Sequence, residues 1–224
     1  MSHALSEIEV QGYSMVPSVL SEAEAMRLVE SLGAVNGAGR RGMLMVPEVR
    51  GLAESAELMS LVRPYLSGRP RAVRSIYFDK SPEANWLVPW HQDLTLAVNG
   101  RVEVAGFGPW SMKAGVTHVQ PPVSLLEQMI TVRIHLDAAD GSNGALKVIP
   151  GSHEFGRLEA SEIERIKSET PECLCCADRG DALLMRPLIL HASGRSTSDR
   201  HRRVLHIEYA GFELPAGLSW NDEA

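Results

Sequence analysis

Three side chains set the chemistry open to this chain. His91 and Asp93 flank Gln92, and His191 follows ninety-eight residues after the aspartate. Two imidazoles and one carboxylate can occupy one face of an Fe(II) ion and leave the opposite face open, the ligand set of non-haem iron oxygenases. In a strand, residues two apart point to one side, so His91 and Asp93 can reach a common ion while Gln92 faces away. A basic pair, Arg202-Arg203, lies beyond His191. A guanidinium there can hold a carboxylate through two parallel charge-assisted hydrogen bonds. Such a set describes a site for iron and a dicarboxylic keto acid.

The elements that must position these groups read as strands. Residues 180–191 open on Gly180-Asp181 and continue as an apolar run, which predicts a buried strand delivering His191 as its last side chain. Residues 202–209 alternate polar and apolar side chains as the next strand. The alternation leaves two candidates for the carboxylate anchor: Arg203 shares a face with Leu205, Ile207 and Tyr209, and Arg202 with Val204, His206 and Glu208. A barrel mouth binding a polar co-substrate favours the polar face.

Four blocks in order carry a family resemblance: Trp90-His91-Gln92-Asp93-Leu94, residues 143–153 from Asn143-Gly144 to Ser152-His153, Gly180-Asp181, and His191-Ala192-Ser193-Gly194. With a start near Gln11-Gly12-Tyr13 and an end near Tyr209-Ala210, the chain resembles the phytanoyl-CoA dioxygenase family of Fe(II)- and 2-oxoglutarate-dependent oxygenases. The resemblance implies a mainly β fold with flanking helices, a double-stranded β-helix or jelly-roll, cupin-like barrel. It implies iron bound by His91, Asp93 and His191, with 2-oxoglutarate and O2 as co-substrates. It also implies an arginine eleven residues past the distal histidine, Arg202, as the anchor for the far carboxylate of 2-oxoglutarate. Ser193 is expected to assist that carboxylate, as a small hydroxyl does in relatives, and Thr131 is a further candidate. Relatives commonly carry asparagine near Ser196, where this chain departs. Halogenating relatives lack a carboxylate at the position of Asp93, so its presence points to hydroxylation of a small or medium-sized metabolite, with release of succinate and CO2.

The length of 224 residues suits one domain: a helical part over about 18–68, a barrel over about 70–212, and a lid-like loop over about 99–123. With 22 basic and 28 acidic residues the formal charge is −6, and no basic tract suggests a polyanion groove, so nucleic acid is not an expected partner. No apolar run approaches the roughly 20 residues of a membrane span, and the amino terminus lacks a charged-then-apolar leader. A cytoplasmic protein is expected. Cys173, Cys175 and Cys176, odd in number and cramped, read as ordinary thiols of a reduced compartment.

Ser21 to Gly33 has a capping serine, glutamate at the third helical position and a terminal glycine, the marks of a bounded helix. A second helical region runs from about Val49 to Leu66. Strands are expected over Ala72–Asp79, Leu87–Thr95 and Glu127–Asp137. The stretch Asn99–Val123, with four glycines and three prolines, shows no sustained period and reads as a loop facing substrate, on which Trp110 is placed to close. In Glu127–Asp137 an oily face (Ile130, Val132, Ile134, Leu136) alternates with Thr131, Arg133 and His135. Arg133 and His135 are therefore expected to meet a polar or anionic substrate. His153 is expected to fix a turn, and Trp86 and Trp90 to pack. Two other readings compete: a cupin-like isomerase or hydrolase using a divalent ion as Lewis acid, and a non-catalytic barrel binding a small anion.

Overall fold

The computed structural model describes residues 2–35, 37–215 and 217–221. The chain opens with helix α1 (Ser2–Gln11), strand β1 (Tyr13–Val16), helix α2 (Glu22–Leu32) and strand β2 (Gly39–Arg41). In α2 the expected capping box forms: the Ser21 hydroxyl accepts from the Glu24 amide, and the Glu24 carboxylate accepts from the Ser21 amide at 2.8 Å. The region expected as one helix from Val49 divides into α3 (Pro47–Ala53) and α4 (Ala56–Val62). Ser55 causes the break, because its hydroxyl caps α4 by accepting from the Leu58 amide.

The β framework follows as β3 (Arg71–Lys80), β4 (Val88–His91), β5 (Leu96–Val98), β6 (Trp110–Lys113) and β7 (Val116–Val119). After the single-turn α5 (Val123–Leu126) come β8 (Met129–His135), β9 (Leu146–Val148), α6 (Ala160–Glu169), β10 (Cys173–Cys175), β11 (Ala182–Met185), β12 (His191–Ser193) and β13 (Arg202–Ala210). A six-stranded antiparallel sheet has the order β1-β11-β8-β13-β3-β2, and a four-stranded one the order β10-β9-β12-β4. Leu146, Val148 and Cys175 of the smaller sheet pack on Leu183 and Met185 of the larger, so the two face each other in the jelly-roll manner.

Alternation along the large sheet explains the layering. Ile130, Val132, Ile134, Leu205, Ile207, Tyr209 and Tyr77 point outward and bury against Ala25, Leu28, Leu32, Val49, Leu58 and Val62 of the helical part. Each fully buried aliphatic or aromatic side chain there contributes about 1.5–3 kcal/mol. The Tyr209 hydroxyl donates to the Ala53 carbonyl at 3.0 Å, pinning α3 to the sheet. The opposite face carries Arg74, Ile76, Phe78, Thr131, Arg133, Arg202 and His206 into the space between the sheets.

Three sequence expectations are corrected. The run 180–191 is not one strand: Pro187, which lacks an N–H to donate, lies in a turn between β11 in the large sheet and β12 in the small one. His191 therefore opens a strand instead of closing one. The strand expected over Leu87–Thr95 stops at His91, and Asp93 lies beyond it, held by its amide donating to the Pro187 carbonyl at 2.9 Å. The stretch 99–123 is no featureless loop. It contributes β6 and β7, joined by Ala114-Gly115 with φ of 50° and 82° and Lys113 paired to Val116, the pattern of a tight I′-type hairpin. With β5 these strands form a third sheet, packed through Leu96, Val98 and Val119 on Val73, Met129 and Leu188.

Candidate active site

His91 on β4 and His191 on β12 are direct cross-strand partners, so backbone register makes the two imidazoles neighbours, with ring centroids 4.1 Å apart. Asp93, reached by the turn after β4, brings its Oδ2 to 3.6 Å from His191 Nε2. One donor atom from each of the three residues lies within 4.8 Å of the others. Gln92 faces away: its amide donates to the carbonyls of Gly156 and Leu188 and its oxygen accepts from the Leu158 amide.

Each histidine has a fixed tautomer. His91 Nδ1 lies 2.9 Å from the Pro89 carbonyl and His191 Nδ1 2.9 Å from the Ile189 carbonyl. A carbonyl can only accept, so both Nδ1 atoms carry hydrogen and both Nε2 atoms are the ones turned to the shared space, where a neutral ring offers its lone pair. The same carbonyl two residues upstream is the partner in both cases. Burial pushes His191 down to about 3, so it is neutral at ordinary pH. For Asp93 burial acts to raise the pKa but is outweighed by His191, His206, His91 and Arg74, which hold it below the usual carboxylate range. Its Oδ2 is buried with no hydrogen-bond partner among the described residues. Two imidazole Nε2 atoms and an ionised carboxylate oxygen suit a divalent cation.

These residues line a cavity of ≈ 450 Å³ between the sheets, together with Arg41, Arg74, Lys113, Arg133, Ser193 and Arg202. Arg202 is 2% exposed, and its Nε and Nη1 have no hydrogen-bond partner among the described residues. Burial, then the nearby Arg133, lowers it to about 9, still charged at neutral pH. Arg203 points to the other side of β13 and grips Asp137 through two hydrogen bonds of 2.6 and 2.8 Å. Of the two arginines the sequence offered, only Arg202 is free to take an incoming carboxylate.

Ser193 lines the cavity, but its hydroxyl is engaged: it accepts from Lys80 Nζ and donates to the Gly144 carbonyl, both at 2.8 Å. Gly144 has φ of 75°, and a Cβ on it would lie 2.6 Å from the Gly194 carbonyl oxygen, so only glycine fits. Arg133 reaches the cavity and donates to His206 Nδ1 at 2.9 Å; His206 Nε2 in turn lies 3.2 Å from Glu208, which pairs with Arg74 at 2.9 Å. Thr131 and His135 are buried, but neither lines the cavity; the Thr131 hydroxyl and both His135 ring nitrogens lack partners. Trp110 also stands off it, packing beside Phe107 and Val123 with the Arg101 guanidinium 5.8 Å from its ring. Ser196 fastens a loop, its amide donating to Asn85 and its hydroxyl to the Ser198 carbonyl.

Sequence reasoning missed Lys80, Arg74, Arg41 and Lys113. The first two were legible in principle, since Arg74, Ile76, Phe78 and Lys80 alternate along β3 on the inward face.

The phytanoyl-CoA dioxygenase (PhyH) family model matches residues 8–204. The chain belongs to that family. Members are Fe(II)- and 2-oxoglutarate-dependent oxygenases, and this chain is an enzyme of that class. No match is found among the curated proteins. Several solved structures share the fold. The non-heme alpha ketoglutarate dependent carbocyclase SnoK from nogalamycin biosynthesis is 18% identical with a TM-score of 0.72, covering 100% of this chain and 87% of its own. EctD from S. alaskensis, solved with 2-oxoglutarate and 5-hydroxyectoine, is 16% identical with a TM-score of 0.73, covering 94% of this chain and 76% of its own. HygX from Streptomyces hygroscopicus, solved with iron bound, is 16% identical with a TM-score of 0.68, covering 96% and 88%. Family membership and the donor geometry agree in kind.

Proposed function

We propose that the chain is a hydroxylase of a small metabolite, with Fe(II) held by His91, Asp93 and His191 and the far carboxylate of 2-oxoglutarate held by Arg202. The observation that carries this reading is the buried, charged, unpartnered Arg202 facing the same cavity as the three donors. A metal-dependent isomerase or hydrolase needs the donors but has no use for such a guanidinium.

Bound in this way, iron supplies the redox chemistry: a substrate C–H, 2-oxoglutarate and O2 become C–OH, succinate and CO2. The protein's share is positional. The Pro89 and Ile189 carbonyls hold the two rings so that their Nε2 lone pairs converge, and Asp93 contributes the negative charge. Arg202 offers two N–H groups without reorganising, because β13 holds the side chain and no carboxylate among the described residues competes for them. Ser193 steadies Lys80 beside that pocket. Ile76, Phe78, Val88 and Leu146 give the cavity apolar walls against which a C–H bond can lie and from which water is displaced.

The test is anaerobic reconstitution with Fe(II), then addition of O2, 2-oxoglutarate and a metabolite library. Succinate release with gain of one oxygen atom by a substrate is expected, and His91→Ala and Asp93→Ala should abolish both release and Fe(II) binding. Turnover with Zn(II) in place of iron, or a product altered without succinate, would overturn the reading. A cyclised or epimerised product with succinate release would keep the cofactors and replace hydroxylation.

A further inference from the structure

The cavity carries five cationic side chains, Arg41, Arg74, Lys113, Arg133 and Arg202, against one carboxylate, Asp93, in a chain of formal charge −6. They fall into two groups by depth. Arg133 and Arg202 are buried at the inner end, where the Arg133 charge disfavours charge on Arg202. Arg41 lies at the exposed rim, Lys113 is half-buried, and Arg74 sits beneath them, tied to Glu208. The rim group comes from three strands distant in sequence: β2, β3 and the hairpin strand β6.

Deepening the reading above, and resting on it for the place of the co-substrate, we propose that Arg41, Arg74 and Lys113 form the anchor for an oxyanion, a carboxylate or phosphate, carried by the substrate to be oxidised.

Cations at a rim are usually solvated and silent, but this group is set up differently. Among the described residues neither Arg41 nor Lys113 has a carboxylate within 4.0 Å; the hydrogen bond of Lys113 goes to the Thr95 hydroxyl at 3.1 Å, which holds the ammonium over the cavity. Arg74 spends only one nitrogen on Glu208. Burial and then the Arg74 charge lower both Arg41 and Lys113, and His118 beside them is pushed down to about 4. Three cations of which, among the described residues, only Arg74 is paired, to Glu208, favour an anion that enters between them. The inner end cannot serve this purpose. Arg202 is committed to 2-oxoglutarate, Arg133 is bonded to His206 and stands beside Arg202, and His135 is off the cavity. Between the two cationic ends lie Asp93, His91 and the apolar wall of Ile76 and Phe78. A substrate anchored at the rim therefore lays its hydrocarbon portion toward the three donors. The third sheet, through Lys113, Thr95 and Gln120, forms part of the substrate site.

Calorimetric titration of the anaerobic Fe(II) enzyme, saturated with 2-oxoglutarate so that the inner end is filled, tests this with two probes, inorganic phosphate and acetate. Saturable binding of at least one is expected, and which one binds identifies the oxyanion. Lys113→Met and Arg41→Gln should each weaken it roughly tenfold or more, the loss of one charge-assisted contact, while Lys113→Arg retains it. Affinity for 2-oxoglutarate itself should not change in these variants. The proposal is overturned if neither probe binds saturably, or if both variants bind as the wild type does. Failure of the wild-type protein to bind 2-oxoglutarate would sink the co-substrate reading instead, and the rim variants, titrated without it, would still decide the anchor.

Discussion

Replacing Arg202 by methionine separates its binding role from its structural one. The folded protein holds this guanidinium at 2% exposure, with its pKa brought from 12.5 to about 9 by burial and then by Arg133. At 1.36 kcal/mol per pKa unit, the charge costs the empty fold on the order of 5 kcal/mol. The sign is that of a base with a depressed folded-state pKa: the cost is complete below about 9 and lifts only as pH climbs toward the unfolded value, so it is fully present at pH 7. Methionine keeps the hydrocarbon stem and removes the charge. Arg202→Met should therefore leave the empty protein as stable as the wild type or more so, by up to about 4 kcal/mol, as when buried ions give way to apolar side chains. It should also weaken 2-oxoglutarate by about 2–5 kcal/mol, a factor of roughly 30 to several thousand. Arg203→Met should do the reverse. It strips Asp137 of a bidentate partner and costs about 1–3 kcal/mol of stability, with affinity for 2-oxoglutarate intact. Urea unfolding of the empty proteins and calorimetric titration of 2-oxoglutarate with Fe(II) read the two effects. Normal affinity in Arg202→Met, or an affinity loss confined to Arg203→Met, would refute the assignment of the anchor.

Acid should unfold the protein before its carboxylates titrate fully. His135 and His191 are both held near 3 by burial, below their unfolded value of 6.5, so the unfolded chain takes up protons first and stability falls as pH drops from 6.5 toward 3. His135→Leu, which removes a ring with no partners, should move the acid midpoint of a circular-dichroism titration to lower pH; an unmoved midpoint would count against the burial account. Gly144→Ala adds a Cβ at φ of 75° that meets the Gly194 carbonyl oxygen at 2.6 Å and Lys80 Nζ at 3.1 Å. It should cost about 1–3 kcal/mol in thermal unfolding and weaken 2-oxoglutarate through Ser193, and an unperturbed variant would show that the Lys80-Ser193 contact has no bearing on the site.

The cluster of His91, Asp93 and His191 could be read from the sequence because its flanks are locally specified: His91-Gln92-Asp93 needs only a strand end and a turn, and Gly180-Asp181 announces β11. Period-two alternation divided β8 into its oily and polar faces, but on β13 it left Arg202 and Arg203 both open. What failed was the path between strands. Nothing local to residues 180–191 says that the chain changes sheets at Pro187, because both halves are apolar and both become buried strands. The hairpin β6–β7 escaped because its strands are four residues each and its turn uses Ala114-Gly115 instead of the Asn-Gly or Asp-Gly that marks such turns. Trp110, placed by sequence over the substrate, packs against the apolar cluster behind the third sheet, while Lys113 three residues later faces the cavity. A shift in which face of a short strand looks inward exchanges a tryptophan for a lysine, and no composition argument detects that.

The charge pattern has a further consequence for how stability is distributed. Along the inward face of β13, Arg202 lies opposite Lys80, a pair of cations, while His206 accepts a hydrogen bond from Arg133 opposite it and Glu208 pairs with Arg74. Like charges directly opposite destabilise a sheet, and a fold shaped for stability alone would alternate their signs. The opposite face of the same strand follows that rule, with Leu205, Ile207 and Tyr209 in the helix-backed core and Arg203 paired to Asp137. Stability built on one face thus offsets repulsion held on the other, and an anion entering the cavity relieves that repulsion. Occupation by 2-oxoglutarate and by a charged substrate should therefore stabilise the protein cumulatively, each ligand raising the unfolding midpoint in the presence of the other. Increments that cancel would mean the two anions compete for one cationic pocket.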